Sequence, residues 1–142
     1  MSTPTITSVI PAHNAARYLG ACLDSVLGQA GPFRHEVVVV DDASTDATAD
    51  IAGAHAGVRR LELAANQGPS AARNAGINAA SGSYVAFLDA DDLWPQGRLA
   101  AGLAVLQAHP DIGLVFGDCA LFDDGGERSA SFFADAGLDD AF

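Results

Sequence analysis

The apolar residues of this chain fall into short continuous runs that alternate with stripes at helical spacing. The first run covers about Ile6 to Ile10 and stops at Pro11, and the second is the four valines from Val37 to Val40. A strand that is apolar on both faces is typical of a parallel sheet with both sides covered. The segment VRRLELA predicts a third strand, and the apolar run from Tyr84 to Leu88 predicts a fourth. These runs predict four strands of a parallel sheet.

Helices are predicted between these strands, where apolar residues recur every three or four positions. In the first helix the apolar positions are Tyr18, Leu19, Cys22, Leu23, Val26 and Leu27. Asn14 precedes this stripe and predicts its N-cap. A second helix is predicted at about residues 46–56, capped by Ser44 or Thr45. A third is predicted within NQGPSAARNAGINAASG, where a glycine-bearing loop leads into a helix that ends near Gly82, and a fourth at about residues 95–108.

The last part of the chain has a different pattern. IGLVFGD (Ile112 to Asp118) predicts a further strand, DDGGE (Asp123 to Glu127) predicts a hairpin turn, and SASFFADAGLDDAF has no clear pattern. The alternation of strands and helices predicts an α/β fold, doubly wound, with a mostly parallel sheet and helices on both faces. The length predicts a single domain of residues 1–142. The unpatterned tail suggests an architecture that is truncated at the C-terminus.

Composition excludes several classes of function. The net charge is −11 and all seven basic residues are arginine, so we expect no nucleic-acid partner, because a basic stripe is needed to bind the phosphate backbone. No apolar run approaches the roughly 18 residues that span a bilayer, and MSTPTITSVIP is not a signal peptide, so a cytoplasmic protein without a transmembrane segment is expected. Cys22 and Cys119 match no metal or redox spacing, and core packing is expected for Cys22.

Two of the predicted strands end in carboxylates. The valine strand leads into Asp41 and Asp42, and the strand at Tyr84 leads into the run DADD, which begins at Asp89. Ligands of open α/β sheets bind at the carboxyl ends of the strands. Because the chain has no lysine, a divalent cation is the natural counter-charge, and Mg²⁺ binds one or two carboxylates plus phosphate oxygens. Alternation along an extended segment would turn Asp89 and Asp91 towards a common ligand.

The loop from Asn66 to Arg73 is a candidate phosphate site. Gly68 permits a close approach of the backbone, and Pro69-Ser70 begins a helix whose free N–H groups favour anions. Arg73 adds a fixed positive charge in the first turn, although a solvated surface arginine is the competing explanation. The loop alone is a weak indication, because glycine is common where helices begin.

Structural roles compete with chemical ones at other polar positions. Helix capping explains Ser44 and Asp46 well, but it does not explain two consecutive carboxylates directly after a strand of four valines. His13 is interpreted as a polar loop residue in preference to a ligand contact.

Four segments of the chain resemble the inverting family 2 glycosyltransferases, which have a GT-A fold. They are SVIPAHNAARYLGACLDSVLGQ, VVVVDDASTDAT, NQGPSAARNAGINAASGSYVAFLDADD and LWPQGRL. Each is a weak match alone, but the four occur in the family's order and spacing over about residues 6–118. The resemblance implies a GT-A (Rossmann-like) fold and the N-terminal, nucleotide-sugar-binding part of such an enzyme, with residues 119–142 forming a hairpin and an unpatterned tail.

The resemblance also implies roles for individual residues. The implied nucleotide-sugar-binding residues are Pro11, Ala12, Asn14, Asp41, Asp42, Asn66, Gly68, Arg73, Asp89 and Ala90, and the implied metal ligands are Asp91 and Asp89. The backbone at Pro11 and Ala12 would contact the base, and Asp42 would accept a hydrogen bond from a ring N–H. Asp91 would bind Mg²⁺ or Mn²⁺ bridging the diphosphate.

The implied reaction transfers a sugar, usually from a UDP-linked donor, with inversion at the anomeric carbon and to an acceptor that the sequence does not identify. A metal and a helix N-terminus would stabilise the leaving diphosphate, and one general base would deprotonate the acceptor. The family normally carries that base in a second half. Asp135, Asp139 and Asp140 lie in the unpatterned tail and are not assigned to it. The alternative is a non-catalytic donor-binding fragment or module of the same fold.

Other classes with similar acidic motifs fit less well. A haloacid-dehalogenase-type phosphatase would use Asp89 as nucleophile and Asp91 as acid. This class, receiver domains and nucleotidyltransferases all require a lysine, and this chain has none. A dinucleotide-binding domain would need the pattern G-x-G-x-x-G.

Overall fold

The computed structural model describes residues 2–136 of the 142-residue chain. The chain divides into two compact units, Met1–Leu103 and Ala104–Phe142. The single-domain organisation expected from the length stays a prediction. In the described residues, helices long and apolar enough to cross a membrane are absent.

The first unit is built on a four-stranded sheet. Its strands are β1 (Thr5–Ala12), β2 (Arg34–Asp41), β3 (Val58–Glu62) and β4 (Tyr84–Phe87). All neighbouring strands are parallel, and their order is β3-β2-β1-β4. In the register of β1 with β2, Ala12 lies opposite Asp41, so both strands end at the same level. The predicted parallel sheet is confirmed.

Helices cover both faces of this sheet, as predicted. They are α1 (Leu19–Leu27), α2 (Thr48–Ala54) and α3 (Pro69–Ala79), followed by α4 (Arg98–Ala108). Alternate valines of β2 enter different cores: Val37 and Val39 pack in a cluster with α1 and α2, and Val38 and Val40 pack in a cluster with Ala72 of α3. Cys22 is 1% exposed within the first cluster, which confirms its expected core packing.

Two predicted helix caps are wrong. The N-cap of α1 is Tyr18 and not Asn14, whose amide oxygen instead accepts a hydrogen bond from the distant N–H of Thr45 at 2.8 Å. Helix α2 is shorter than predicted, because its N-cap is Ala47, and the side chain of Asp46 accepts the N–H of Thr48 at 2.9 Å. The partner of Asn14 lies 31 residues away and is not revealed by local sequence spacing, whereas Asp46 bonds a residue only two positions along.

The second unit contains a hairpin and a short helix. Strands β5 (Leu121–Asp123) and β6 (Gly126–Ser129) pair antiparallel, and α5 spans Phe132–Asp135. The strand predicted at Ile112 to Asp118 is wrong: the segment forms no ladder within the described residues. Its apolar pattern suits a buried strand, but without a ladder partner Leu114 is 76% exposed. Asp135 lies in α5, while Asp139 and Asp140 lie outside the described residues.

Candidate functional site

The carboxyl ends of β1 and β2 border a cavity of about 150 Å³. Its lining consists of Pro11, Ala12, His13, Asp42, Asn66, Gly68, Pro69 and Ala72. Parallel strands bring their carboxyl ends to one edge of the sheet, which is where ligands of such folds bind. The cavity therefore joins Pro11, Ala12, Asp42, Asn66 and Gly68, which the sequence had placed in one site.

Asp42 is the most extensively bonded residue of this cavity. It is 3% exposed. Its N–H donates to the carbonyl of Ala12 at 2.8 Å, and its two carboxylate oxygens accept the N–H groups of Gln67 at 2.8 Å and Gly68 at 2.7 Å. Hydrogen bonds to a carboxylate are stronger than those between neutral groups. Asp42 thus fastens the loop before α3 to the end of β2.

His13 also lines the cavity. Its Nδ1 lies 2.7 Å from the main-chain oxygen of Asp42, and its Nε2 lies 3.2 Å from the amide nitrogen of Asn14. The sequence favoured a loop role for His13, so this lining residue was missed, whereas Pro69 and Ala72 lie within the predicted phosphate loop of residues 66–73. A histidine between a strand end and a helix was the available indication, but its partner Asp42 is distant in the chain.

Asp41, in contrast, holds a turn and is absent from the cavity lining given above. It is 2% exposed, and its Oδ1 accepts the N–H of Ser44 at 3.0 Å. Between them Ala43 has a positive φ of 55°, a conformation that is uncommon for a residue with a side chain. The structure therefore gives the buried Asp41 a partner within its own loop.

The loop before α3 has a glycine, Gly68, where it borders the cavity. Gly68 is the N-cap of α3 with a φ of 87°, and Pro69 occupies the first helical position. The side chain of Asn66 accepts the N–H of Gly68 at 3.1 Å. A positive φ at this point suits glycine. The helix therefore begins at Pro69, as the sequence predicted, with its N-terminus at the cavity.

Arg73 and Asp89 lie beside the cavity and form an ion pair. Nη2 of Arg73 is 2.5 Å from Oδ1 of Asp89, with the two side chains 34% and 50% exposed. The resemblance implies that Arg73 lies near the base and diphosphate and that Asp89 faces the ribose or the metal shell. The structure brings them together, joining α3 to the segment after β4.

The carboxylates after β4 crowd one another. Asp89, Asp91 and Asp92 are all exposed, and the N–H of Asp92 donates to the carbonyl of Asp89 at 3.0 Å in a tight turn. Partial desolvation of its carboxylate, and then the charges of Asp91 and Asp89, raise the pKa of Asp92. Burial, followed by the same group of carboxylates, raises the pKa of the Cys22 thiol to about 12. The run therefore creates a negative field that a cation would relieve. Ala90 is 6% exposed and packs in the core.

These donors fit a hard divalent cation. Carboxylate oxygens are the ligands that Mg²⁺ and similar ions prefer, usually one or two from the protein. Over residues 2–136, groups of three or more His, Cys, Asp or Glu side chains arranged to hold a metal are absent. Asp91 and Asp89, which the resemblance implies as metal ligands, are both exposed carboxylates of this run.

Comparison with known proteins gives a consistent result. A family model described as glycosyl transferase family 2 matches residues 7–129. The succinoglycan biosynthesis protein ExoO of Rhizobium meliloti (strain 1021) is 45% identical over 98 residues, which are 68% of this chain and 28% of that protein. The crystal structure of S. aureus TarS 1-349 in complex with UDP-GlcNAc has a TM-score of 0.70 and 32% identity, and the match covers 75% of this chain and 32% of that one.

A second solved structure is similar to the same extent. The mannosyltransferase PcManGT from Pyrobaculum calidifontis, in complex with GDP-Man and Mn²⁺, has a TM-score of 0.68 and 34% identity, and the match covers 74% of this chain and 33% of that one. The chain therefore spans about a third of the length of these proteins.

Proposed function

The chain belongs to glycosyl transferase family 2, with the GT-A fold, and on that premise we propose that it binds the nucleotide-diphosphate sugar that the whole protein uses as donor. The observation that carries the proposal is the cavity at the ends of β1 and β2, with Asp42 in its wall, whose two carboxylate oxygens each accept one main-chain N–H, and the pair of Arg73 and Asp89 beside it. These positions are the ones at which the family resemblance expects the donor.

The cavity is assigned to the nucleotide base. Its volume of about 150 Å³ is below the roughly 300–1,000 Å³ of sites that enclose a drug-sized molecule, so it suits one ring system and not a whole nucleotide sugar. The backbone at Pro11 and Ala12 would contact the ring, and Asp42, with the remaining lone pairs of its carboxylate, would accept its N–H. A UDP-sugar is proposed, supported by the UDP-GlcNAc complex of TarS, while the GDP-Man complex of PcManGT makes guanine the competing base.

The diphosphate is assigned to the neighbouring charged groups. The N-terminus of α3 favours anions, and Arg73, one turn into that helix, brings a positive charge to the same side. Asp91 and Asp89 would hold Mg²⁺ or Mn²⁺. A bound divalent cation would neutralise the charge that develops on the leaving diphosphate. Asp89 would release or share its Arg73 partner when it joins the metal shell.

Transfer with inversion to an acceptor is part of the proposal for the whole protein. It needs a general base for the acceptor hydroxyl, and none of the described residues is assigned that role. Because the chain spans about a third of its relatives, the second candidate is a module that binds donor without transferring sugar. A cytoplasmic location also stays a prediction.

Isothermal calorimetry tests donor binding directly. The chain is titrated with UDP in the presence of Mn²⁺, in the presence of Mg²⁺, and with EDTA, and GDP is titrated as the competing nucleotide. We expect UDP to bind with either ion and to bind much more weakly with EDTA. An absence of binding by both nucleotides under all three conditions would contradict the proposal. Sugar transfer by the chain with UDP-sugar would exclude the non-catalytic candidate.

A further inference from the structure

The hydrogen-bond partners of His13 select one protonation form of its ring. The main-chain oxygen of Asp42, 2.7 Å from Nδ1, can only accept, so Nδ1 must carry the proton. The amide oxygen of Asn14 already accepts the N–H of Thr45 at 2.8 Å and its hydroxyl at 3.3 Å, which directs the amide nitrogen of Asn14 to the ring. That nitrogen donates to Nε2 at 3.2 Å, so Nε2 must be an acceptor. Both contacts require the same neutral tautomer.

This ring completes the set of bonds around Asp42. The N–H of Asp42 is held by Ala12 and its carboxylate by Gln67 and Gly68. The carbonyl of Asp42 is held by His13. The polar groups of Asp42 are therefore fixed from two segments of the chain: Ala12 and His13 at the end of β1, and the loop before α3.

We propose that His13 is a positioning residue for the base site: in its Nδ1–H form it fixes the main chain of Asp42 and so keeps the cavity formed before a nucleotide binds. This inference rests on the proposed function, because it takes the cavity to be the base site. His13 acts through Asp42, by the hydrogen bond from its Nδ1. Preorganisation of this kind increases affinity by lowering the ordering cost of binding.

Three substitutions separate the hydrogen bond from the ring. In His13→Asn the side-chain amide nitrogen stands three bonds from Cα, as Nδ1 does, so the donor to Asp42 is kept while the ring is lost. His13→Phe keeps an aromatic ring and loses the donor. In His13→Gln the amide nitrogen stands four bonds from Cα, as Nε2 does, so a donor is present at the wrong place.

The first measurement is calorimetry with UDP and Mn²⁺ on the chain and on these three variants. We expect His13→Asn to bind within about twofold of the original chain, and His13→Phe and His13→Gln to bind roughly three- to tenfold more weakly, the effect of one net hydrogen bond. Full affinity in His13→Phe together with a loss in His13→Asn would overturn the proposal in favour of a ring contact with the base.

The second measurement needs no nucleotide. Long-range ¹H–¹⁵N NMR of the free chain reports which ring nitrogen of His13 carries the proton, and we expect Nδ1; an Nε2–H ring would overturn the proposal. Amide exchange of Gln67 and Gly68 should be at least threefold faster in His13→Phe than in His13→Asn, and equal rates would also overturn it. If the chain binds no nucleotide, the proposed function fails, while these two readouts still decide whether His13 positions Asp42.

Discussion

Nη2 of Arg73 lies 2.5 Å from Oδ1 of Asp89, so the cation of helix α3 is held at the end of β4. The side chains of Arg73 and Asp89 are 34% and 50% exposed. Ion pairs that are exposed to this extent contribute about 1 kcal/mol or less to stability. The pair therefore contributes little to the fold, but it keeps a positive charge beside the site proposed for the diphosphate.

Substitution of Arg73 should separate binding from stability. We expect Arg73→Ala to lower the affinity for UDP by about tenfold, the loss of one charge-assisted contact, while the free energy of unfolding falls by less than about 1 kcal/mol. Arg73→Lys should restore part of the affinity, since it returns the charge without the planar fork. Calorimetry and urea denaturation measure the two quantities. A larger loss of stability than of binding energy would contradict this division.

Asp91 is predicted to carry the metal dependence of nucleotide binding. It is exposed in the turn after β4, so Asp91→Ala should leave the unfolding midpoint within a few degrees of the original. Titration with UDP should then give the same weak affinity with Mn²⁺ and with EDTA. The protein supplies only one or two ligands to such an ion, and Asp91→Ala removes one of them. Asp50→Asn, at an exposed position of α2, is the matched control and should keep the response to Mn²⁺. A retained response in Asp91→Ala would place the cation elsewhere.

Asp42→Ala is predicted to weaken base binding without removing the requirement for a metal. It also leaves the N–H of Gln67 without its acceptor and the N–H of Gly68 with the side chain of Asn66 alone, which should cost about 1–3 kcal/mol of stability. Affinities for UDP and for inorganic pyrophosphate, each with Mn²⁺, distinguish the two parts of the site. We expect the first to fall and the second to change little. An equal fall of both would mean that Asp42 supports the whole site.

The sequence predicted the strands better than the caps. Four consecutive valines identify β2 because burial on both faces leaves a pattern in the sequence itself. Asn14 was expected to cap α1, since capping depends on local spacing, but its observed partner Thr45 belongs to another loop. The segment at Ile112 to Asp118 shows the same limit, because a strand needs a ladder partner that its own pattern cannot specify.

In the candidate site, too, local features were predictable from the sequence and contacts between distant segments were not. Asp42 was identified by its place after a strand, and the carboxylates after β4 by their crowding. The bonds of Asp42 to the loop before α3 and to His13 depend on how separate loops meet, and these contacts have no sequence spacing that would reveal them. The sequence therefore indicated which kinds of residue belong to the candidate site, but it did not reveal the hydrogen bonds that these residues form with one another.

Helix α3 packs so closely on β1 that Gly76 cannot carry a side chain. A Cβ on Gly76 would lie 2.2 Å from Cγ1 of Val9. We expect Gly76→Ala to destabilise the chain by about 1–3 kcal/mol through overpacking. Gly53→Ala in α2 is the control: a Cβ there meets nothing within 4 Å, and alanine should stabilise the helix by about 0.5–1 kcal/mol. Chemical denaturation of both variants tests the contrast, and effects of the same sign would contradict it.

Glu36 should make stability depend on acid pH. Its Oε2 accepts the hydroxyl of Thr7 at 2.6 Å and the N–H of Ser81 at 3.0 Å, and these bonds, with that of Thr7 the largest cause, hold the pKa of Glu36 below its ordinary value. A lowered pKa in the folded state stabilises the chain above the unfolded value near 4.5, and the stabilisation is lost as the pH falls through the lowered pKa.

Glu36→Gln removes this titration. We expect it to lower the free energy of unfolding by about 1–2 kcal/mol at pH 7, the difference between bonds to a charged and to a neutral acceptor, and by less near pH 3. Urea denaturation at several pH values measures the slope. Burial lowers the pKa of the neighbouring His35, so His35 also makes the chain less stable as the pH falls. Glu36→Gln should therefore reduce the pH dependence of stability without abolishing it. Parallel curves for the two proteins would contradict the role of Glu36.

The order β3-β2-β1-β4 has a consequence for how the chain folds as the ribosome makes it. Strand β1 is synthesised first but occupies an interior position, pairing with β2 on one side and with the much later β4 on the other, where Ile6 lies opposite Tyr84. Contacts so distant in sequence slow folding, because a long loop must close before they form. Three strands can therefore assemble while one edge of β1 stays open, and that edge closes only after residue 87 has left the exit tunnel.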